Sequence, residues 1–101
     1  MKVAYRFRIP DDVTLMIRSL HPDLKRKVRT AFDLLAHDAH AGKALRAELE
    51  GLRTLRAGRF RIIHRLPAGR VIEIVAVGPR ERIYEETLRL LRKPPAGNSR
   101  V

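Results

Sequence analysis

The sequence predicts a two-layer α+β domain with the element order β-α-α-β-β-β-α, an antiparallel sheet packed by a helix hairpin. Three observations predict it. An alternating strand opens the chain, two amphipathic stripes follow on either side of a His-Pro break, and short β-rich segments divided by glycine turns lead into a last helical stripe. A chain of 101 residues has room for one such domain. It is placed at residues 1–93, and residues 94–101, with Pro, Gly and Ser, read as a disordered tail.

Each element has its own signal. Over residues 2–9, Val3, Tyr5, Phe7 and Ile9 alternate with Lys2, Arg6 and Arg8, the period of a half-buried strand. Pro10 ends it, and Asp11 or Asp12 is placed to cap a helix whose apolar stripe is Val13, Met16, Ile17 and Leu20. His21-Pro22 breaks that helix, and proline suits the first turn of the next. Leu24, Val28, Ala31 and Leu35 make the second stripe, so the pair reads as a helix hairpin. Residues 37–47 are irregular, with a turn at Gly42. Leu52–Arg56 and Arg59–Leu66 read as strands around an Ala57-Gly58 turn, and Pro67-Ala68-Gly69 turns into the β-branched run Val71–Val77, which suits a central strand stopped by Gly78-Pro79. Arg80–Arg92 closes the fold as a helix, with Ile83, Thr87, Leu90 and Leu91 on one face. The helices cover the apolar face of the sheet and leave the other face open.

The charge is lopsided. Lys and Arg number 22 against 11 Asp and Glu, a formal net charge of +11. Such a body repels itself and attracts polyanions or an acidic protein partner. The absence of cysteine excludes disulfides, Cys-ligated zinc and a thiol nucleophile. Charge interrupts the N-terminus too early for a signal peptide, and no apolar run approaches membrane-spanning length. A cytoplasmic protein with no membrane partner is expected.

The usual catalytic sets are missing. His37, Asp38 and His40 lack a further ligand at metal-site spacing and read as a polar helix end, so neither metal nor cofactor is expected. Ser19 and Ser99 have no local base. The glycines do not form a phosphate loop. Arginine remains. If Ala57-Gly58 is a two-residue hairpin loop, Arg56 pairs with Arg59 and Thr54 with Arg61, which puts Arg56 and Arg61 on one face with Thr54, Ile63 and Arg65. Arg80 and Arg82 open the last helix against its dipole, with Tyr84 one turn in. Like charges gathered this way cost stability unless an anion occupies them. The other reading is that these arginines are solvated and Tyr84 packs on the helix–sheet seam. Solvation is the preferred reading for Arg65 and Arg70, which lie beside the distal turn. Arg53 points by parity to the opposite face, where a binding partner wraps it or water does.

Two segments carry a family resemblance. Leu52–His64 has a Leu-Arg pair, a turn glycine, an aromatic-Arg pair, two apolar residues and a closing His. Val77–Tyr84 has an apolar residue, a glycine, an arginine two places on and a tyrosine four places after that. Together with the order of elements over residues 2–92, they resemble the RelE/ParE superfamily of type II toxin–antitoxin systems. In its RelE branch the resemblance implies a toxin that cuts ribosome-bound mRNA without a metal, the ribose 2′-hydroxyl attacking the neighbouring phosphate. Arg61 and Arg80 would hold that phosphate and Tyr84 would stack on a base or help proton transfer, a catalytic set of three, while Arg46, Arg56 and Arg82 would bind the flanking RNA. The best-known RNases of the family carry two lysines where this chain has Leu52 and Thr54. Arg56 shares their face, and Arg46 or Lys43 comes from the preceding segment. The lysine departure points to the alternative, a ParE-like toxin that inhibits DNA gyrase without cutting anything. Either branch implies a cognate acidic antitoxin, lying in a groove between the helix hairpin and the sheet.

Overall fold

The computed structural model describes residues 5–92. The first half of the opening strand and the expected tail at 94–101 lie outside them. In chain order the elements are β1 (Arg6–Arg8), α1 (Asp11–Arg18), α2 (Pro22–His37), β2 (Lys43–Ala44), a 3-10 turn (Ala47–Leu49), β3 (Arg53–Ala57), β4 (Phe60–Arg65), β5 (Val71–Pro79) and α3 (Arg80–Arg92). The strands form one sheet in the order β1-β5-β4-β3-β2. From β2 to β5 it is antiparallel. β1 joins its far edge in parallel, Phe7 lying opposite Ile72. The helix hairpin sits between β1 and the rest of the sheet in sequence, and a crossover of that length permits parallel pairing.

The helix hairpin packs as its stripes predict. Leu24, Val28, Ala31 and Leu35 are all buried, Leu35 completely. Val28, Ala31 and Leu35 meet Leu55, Ala57, Ile62, Ile72 and Ile74 from the sheet, with Phe7 stacked on Phe32 at a ring separation of 5.3 Å. Pro22 occupies the first turn of α2, and His21 caps it, its Nδ1 accepting from the Asp23 N–H at 3.2 Å. α1 departs from expectation. Its N-cap is Pro10, without a side-chain hydrogen bond, and Asp11 and Asp12 lie in the first turn, where they face the positive end of the helix dipole.

The parallel β1 edge departs from the expected antiparallel sheet, and the sheet differs from the sequence reading in four further places. The β3–β4 turn is Gly58-Arg59, so Arg56 lies opposite Arg61, Thr54 opposite Ile63 and Ala57 opposite Phe60. Gly58, at φ +62°, supplies the left-handed residue the turn needs. Gly78 and Pro79 continue β5 rather than stop it, pairing with Arg61 and Phe60. The irregular segment contributes the two-residue edge strand β2. Finally, the second sheet face is open only in part. α3 lies on it, and Ile83 joins Ile63, Ala76, Leu49 and Leu52 in a smaller core. Ile83 and Thr87 are buried there, whereas Leu90 and Leu91 stay nearly half exposed.

Candidate functional site

The face that carries α3 is defined by register. Cross-strand partners share a face, so Lys43 and Thr54, Thr54 and Ile63, Arg56 and Arg61, and Arg61 and Gly78 all project on the same side. The turn shift changes the arginine partners but not this parity. Arg56 and Arg61 still share a face with Thr54 and Ile63, and Arg56 now stands directly opposite Arg61 rather than diagonal to it. Arg61 is partly buried on the inner strand β4, and Arg56 is exposed.

Arg80 reaches the same neighbourhood through the backbone. β5 carries the chain past Gly78, opposite Arg61, into α3, and the Arg80 N–H donates to the Arg59 carbonyl at 3.1 Å. The Arg80 and Arg82 side chains are exposed. Gly78 lets α3 approach, because a Cβ there would stand 3.1 Å from Ile83 Cδ1 and 3.6 Å from Glu86 Oε1, so one carboxylate also comes over this patch. Tyr84 is half-buried. Its ring packs against the smaller core, as the seam reading expects, while its hydroxyl extends to Thr54 Oγ1 at a long 3.5 Å. The phenol therefore reaches from α3 to β3, across the strand that bears Arg61. Arg46 is exposed on the loop after β2, whose Leu45 and Leu49 pack in the same smaller core.

Lys43 was the harder residue to place from sequence. Its position opposite Thr54 puts a lysine on this face beside the Tyr84 contact. Alternation within β2 would have shown this, but a strand of two residues has no period to read. Leu52 and Thr54 are themselves buried.

Other polar residues have structural work. Arg53 points to the helix-hairpin side and is not simply exposed: its Nη2 donates to the carbonyls of His40 and Gly42, pinning the loop before β2. Arg65 pairs with Glu73, which also faces Arg8 at 3.8 Å. His64, opposite Arg53, is fully buried, and neither ring nitrogen has a hydrogen-bond partner among the described residues. Burial lowers its pKa, the backbone of Ile62 partly opposes the shift, and the Arg53 charge reinforces it. His37 Nδ1 meets the Asp33 carbonyl at 2.9 Å and Asp38 Oδ1 accepts from the His40 N–H at 3.1 Å. Among the described residues, no three His, Cys, Asp or Glu side chains gather as metal ligands, and no helix is long and apolar enough to cross a membrane.

Residues 5–84 match the family described as the ParE toxin of type II toxin–antitoxin system, parDE. The chain belongs to the ParE toxin family. It is thus the toxin of a type II toxin–antitoxin system, within the RelE/ParE superfamily. Solved RelE structures share its fold. The RelBE2 toxin–antitoxin complex of Mycobacterium tuberculosis aligns at 28% identity and TM-score 0.66, covering 77% of this chain and all of that one. An Escherichia coli RelE variant in the free state aligns at 18% identity and TM-score 0.68, covering 88% and 99%. The RelE–RelB complex of Pyrococcus horikoshii gives 24%, TM-score 0.63, and 79% and 99%. No curated protein matches this toxin in sequence.

Proposed function

We propose that this toxin is a ribosome-dependent mRNA endonuclease of the RelE kind, acting in the cytoplasm without a metal. The observation that carries the reading is the Tyr84 hydroxyl, extended over β4 to Thr54 on the face where Arg56 and Arg61 stand opposite one another. Paired guanidinium groups suit a phosphodiester, because each offers two donors in a plane and the charge of a pentavalent phosphorus intermediate grows where they point. In the proposed reaction the ribose 2′-oxygen attacks phosphorus, the bond to the 5′-oxygen breaks, and a 2′,3′-cyclic phosphate and a 5′-hydroxyl result. Arg61 and Arg80 neutralise the non-bridging oxygens. The 2′-hydroxyl proton passes to water, and the Tyr84 hydroxyl donates one to the departing 5′-oxygen and is reprotonated from solvent. Arg46, Arg56 and Arg82 hold the flanking strand, and Lys43 adds positive charge beside Thr54.

The test is expression in bacteria with mRNA 5′ ends mapped by primer extension. Codon-phased cuts that vanish in Arg61→Ala and Tyr84→Phe support the reading, and full toxicity of Tyr84→Phe removes Tyr84 from it. The ParE-like alternative, inhibition of DNA gyrase without catalysis, is favoured by the identity of the matching family and by the buried Leu52 and Thr54, which offer no base. Loss of supercoiling activity with intact mRNA selects it.

The partner in this reading is a cognate acidic antitoxin. β2 pairs with only Arg53 and Thr54, so residues 55–57, paired with β4 on one side, have no strand among the described residues on their outer edge. The groove between that edge and α2, about 480 Å³, is lined by Ala31, Leu34 and Ala57 between Arg26 and Arg56. An amphipathic acidic segment fits such a lining. Co-purification with the product of an adjacent small reading frame tests the pairing.

A further inference from the structure

A larger concavity lies outside the Arg61–Tyr84 face. About 590 Å³ opens between the start of α2 and the β3–β4 turn, with Lys27, Arg56 and Arg59 in its wall. Its carboxylate, Asp23, is already occupied: Arg26 approaches it at 3.3 Å, and His21 Nδ1 lies 4.0 Å away. Among the described residues, Lys27, Arg56 and Arg59 have no carboxylate within salt-bridge distance. Three unneutralised cations thus surround one opening.

The turn is built to hold one of them there. A Cβ on Gly58 would stand 2.8 Å from Lys27 Cδ and 3.6 Å from its Nζ, so the lysine stem lies directly over the glycine. Arg56 Nε donates to the Gly58 carbonyl at 3.5 Å, which draws its guanidinium toward the same turn. The cleft is also continuous with the candidate site. Arg56 lines it and stands opposite Arg61, and the Arg59 carbonyl accepts from the Arg80 N–H.

We propose that this cleft is a second phosphate-binding subsite, which takes the sugar-phosphate backbone of a single RNA strand as it leaves the Arg61–Arg80 site over the β3–β4 turn. The inference rests on the RNA reading above and extends it from Arg56 to Lys27 and Arg59, which that reading does not use. Cations held in proximity repel one another until a polyanion displaces their counterions, and a strand with a phosphate at every residue meets Lys27, Arg56 and Arg59 in turn. Because the antitoxin groove shares Lys27 and Arg56 with this cleft, the two ligands compete.

The experiment measures binding of a fluorescein-labelled ten-nucleotide RNA, with 2′-O-methyl groups to prevent cleavage, to the full chain by anisotropy across a salt series. Removing two contacts in Lys27→Ala/Arg59→Ala lowers the slope of log K against log salt by about 1.4, which at 0.1 M salt is roughly 25-fold in affinity. Arg89→Ala, an exposed cation on α3, serves as the control and leaves both nearly unchanged. Gly58→Ala, which displaces Lys27 without removing charge, weakens binding as well, with folding verified by circular dichroism. An unchanged slope and affinity in the double variant overturns the proposal. So does a double variant that binds RNA normally but no longer binds a polyglutamate peptide, since the cleft is then a protein site. Ribosomal mRNA cleavage is scored separately. Cleft-dependent RNA binding without cleavage leaves the subsite standing and removes the nuclease reading, and cleavage with cleft-independent binding does the reverse.

Discussion

Replacing Gly42 with alanine should destabilise this toxin more than the same change at Gly51, and the structure gives the size of the difference. Both glycines have left-handed backbones, with φ of +90° and +93°. A side chain in that conformation costs about 1–2 kcal/mol at either site. Around Gly51 there is nothing within 4 Å of a new Cβ. At Gly42 the Cβ would fall 2.2 Å from the Thr54 carbonyl oxygen, 3.0 Å from its carbon and 3.3 Å from Leu55 Cα. These are backbone atoms of β3, held by the ladder to β4, and no rotamer change can move them. Overpacking of this kind adds about 1–3 kcal/mol. Gly42→Ala should therefore cost about 2–5 kcal/mol, a large share of the ~5–15 kcal/mol that holds a typical domain together. The melting temperature should fall by at least about 8 °C, at roughly 4–8 °C per kcal/mol for a chain of this size. Urea unfolding followed by circular dichroism at 222 nm measures both variants. Equal stability of the two alanine variants, within about 0.5 kcal/mol, would refute the argument that β3 cannot yield.

Arg53→Met removes the donations to the His40 and Gly42 carbonyls and should cost about 1–2 kcal/mol by the same unfolding assay. His64 is buried with a lowered pKa, so the unfolded chain takes up a proton that the folded chain resists. Stability contributed by its neutral form should be present above about pH 6.5 and be lost as pH falls through that value, with a limiting slope of about 1.4 kcal/mol per pH unit. Unfolding midpoints between pH 8 and 5 measure it, and His64→Leu should flatten its part of the dependence. Tyr84→Phe gives up only a long hydrogen bond to Thr54 and should change stability by less than about 1 kcal/mol. A toxicity defect in that variant, with an unchanged melting temperature, then belongs to the site rather than to the fold.

The helices were legible because apolar spacing over several turns is redundant. The four residues of the α2 stripe all proved buried, and α3 runs over the expected residues. The strand pairings were less so. Ala57-Gly58 and Gly58-Arg59 both place a glycine in a two-residue turn, and the choice depends on which side of the turn the β-branched residues find their partners. The shift preserved face parity, which is why Arg56 and Arg61 could be assigned to one face while their partners could not. β2 has too few residues to show a period, and the parallel attachment of β1 depends on a contact with residues about 65 positions away that no local pattern encodes. For the site, the sequence pointed to the arginines and Tyr84. It did not show that Arg53 pins a loop, that Lys43 stands beside Thr54, or that His64 is sealed inside, because each depends on cross-strand neighbours.

The parallel pairing of Arg6–Arg8 with Val71–Glu73 bears on how the toxin is made. The helix hairpin and the β3–β4 hairpin use near neighbours and can collapse early, but β1 waits for β5 before it has a mate. Closure of such a distant pair is slow, because the intervening chain must surrender its freedom first. Until β5 has emerged the sheet is therefore incomplete, because Phe7 lacks Ile72 opposite it. A cell that produces this toxin has that interval in which to supply a binding protein before a finished poison is released.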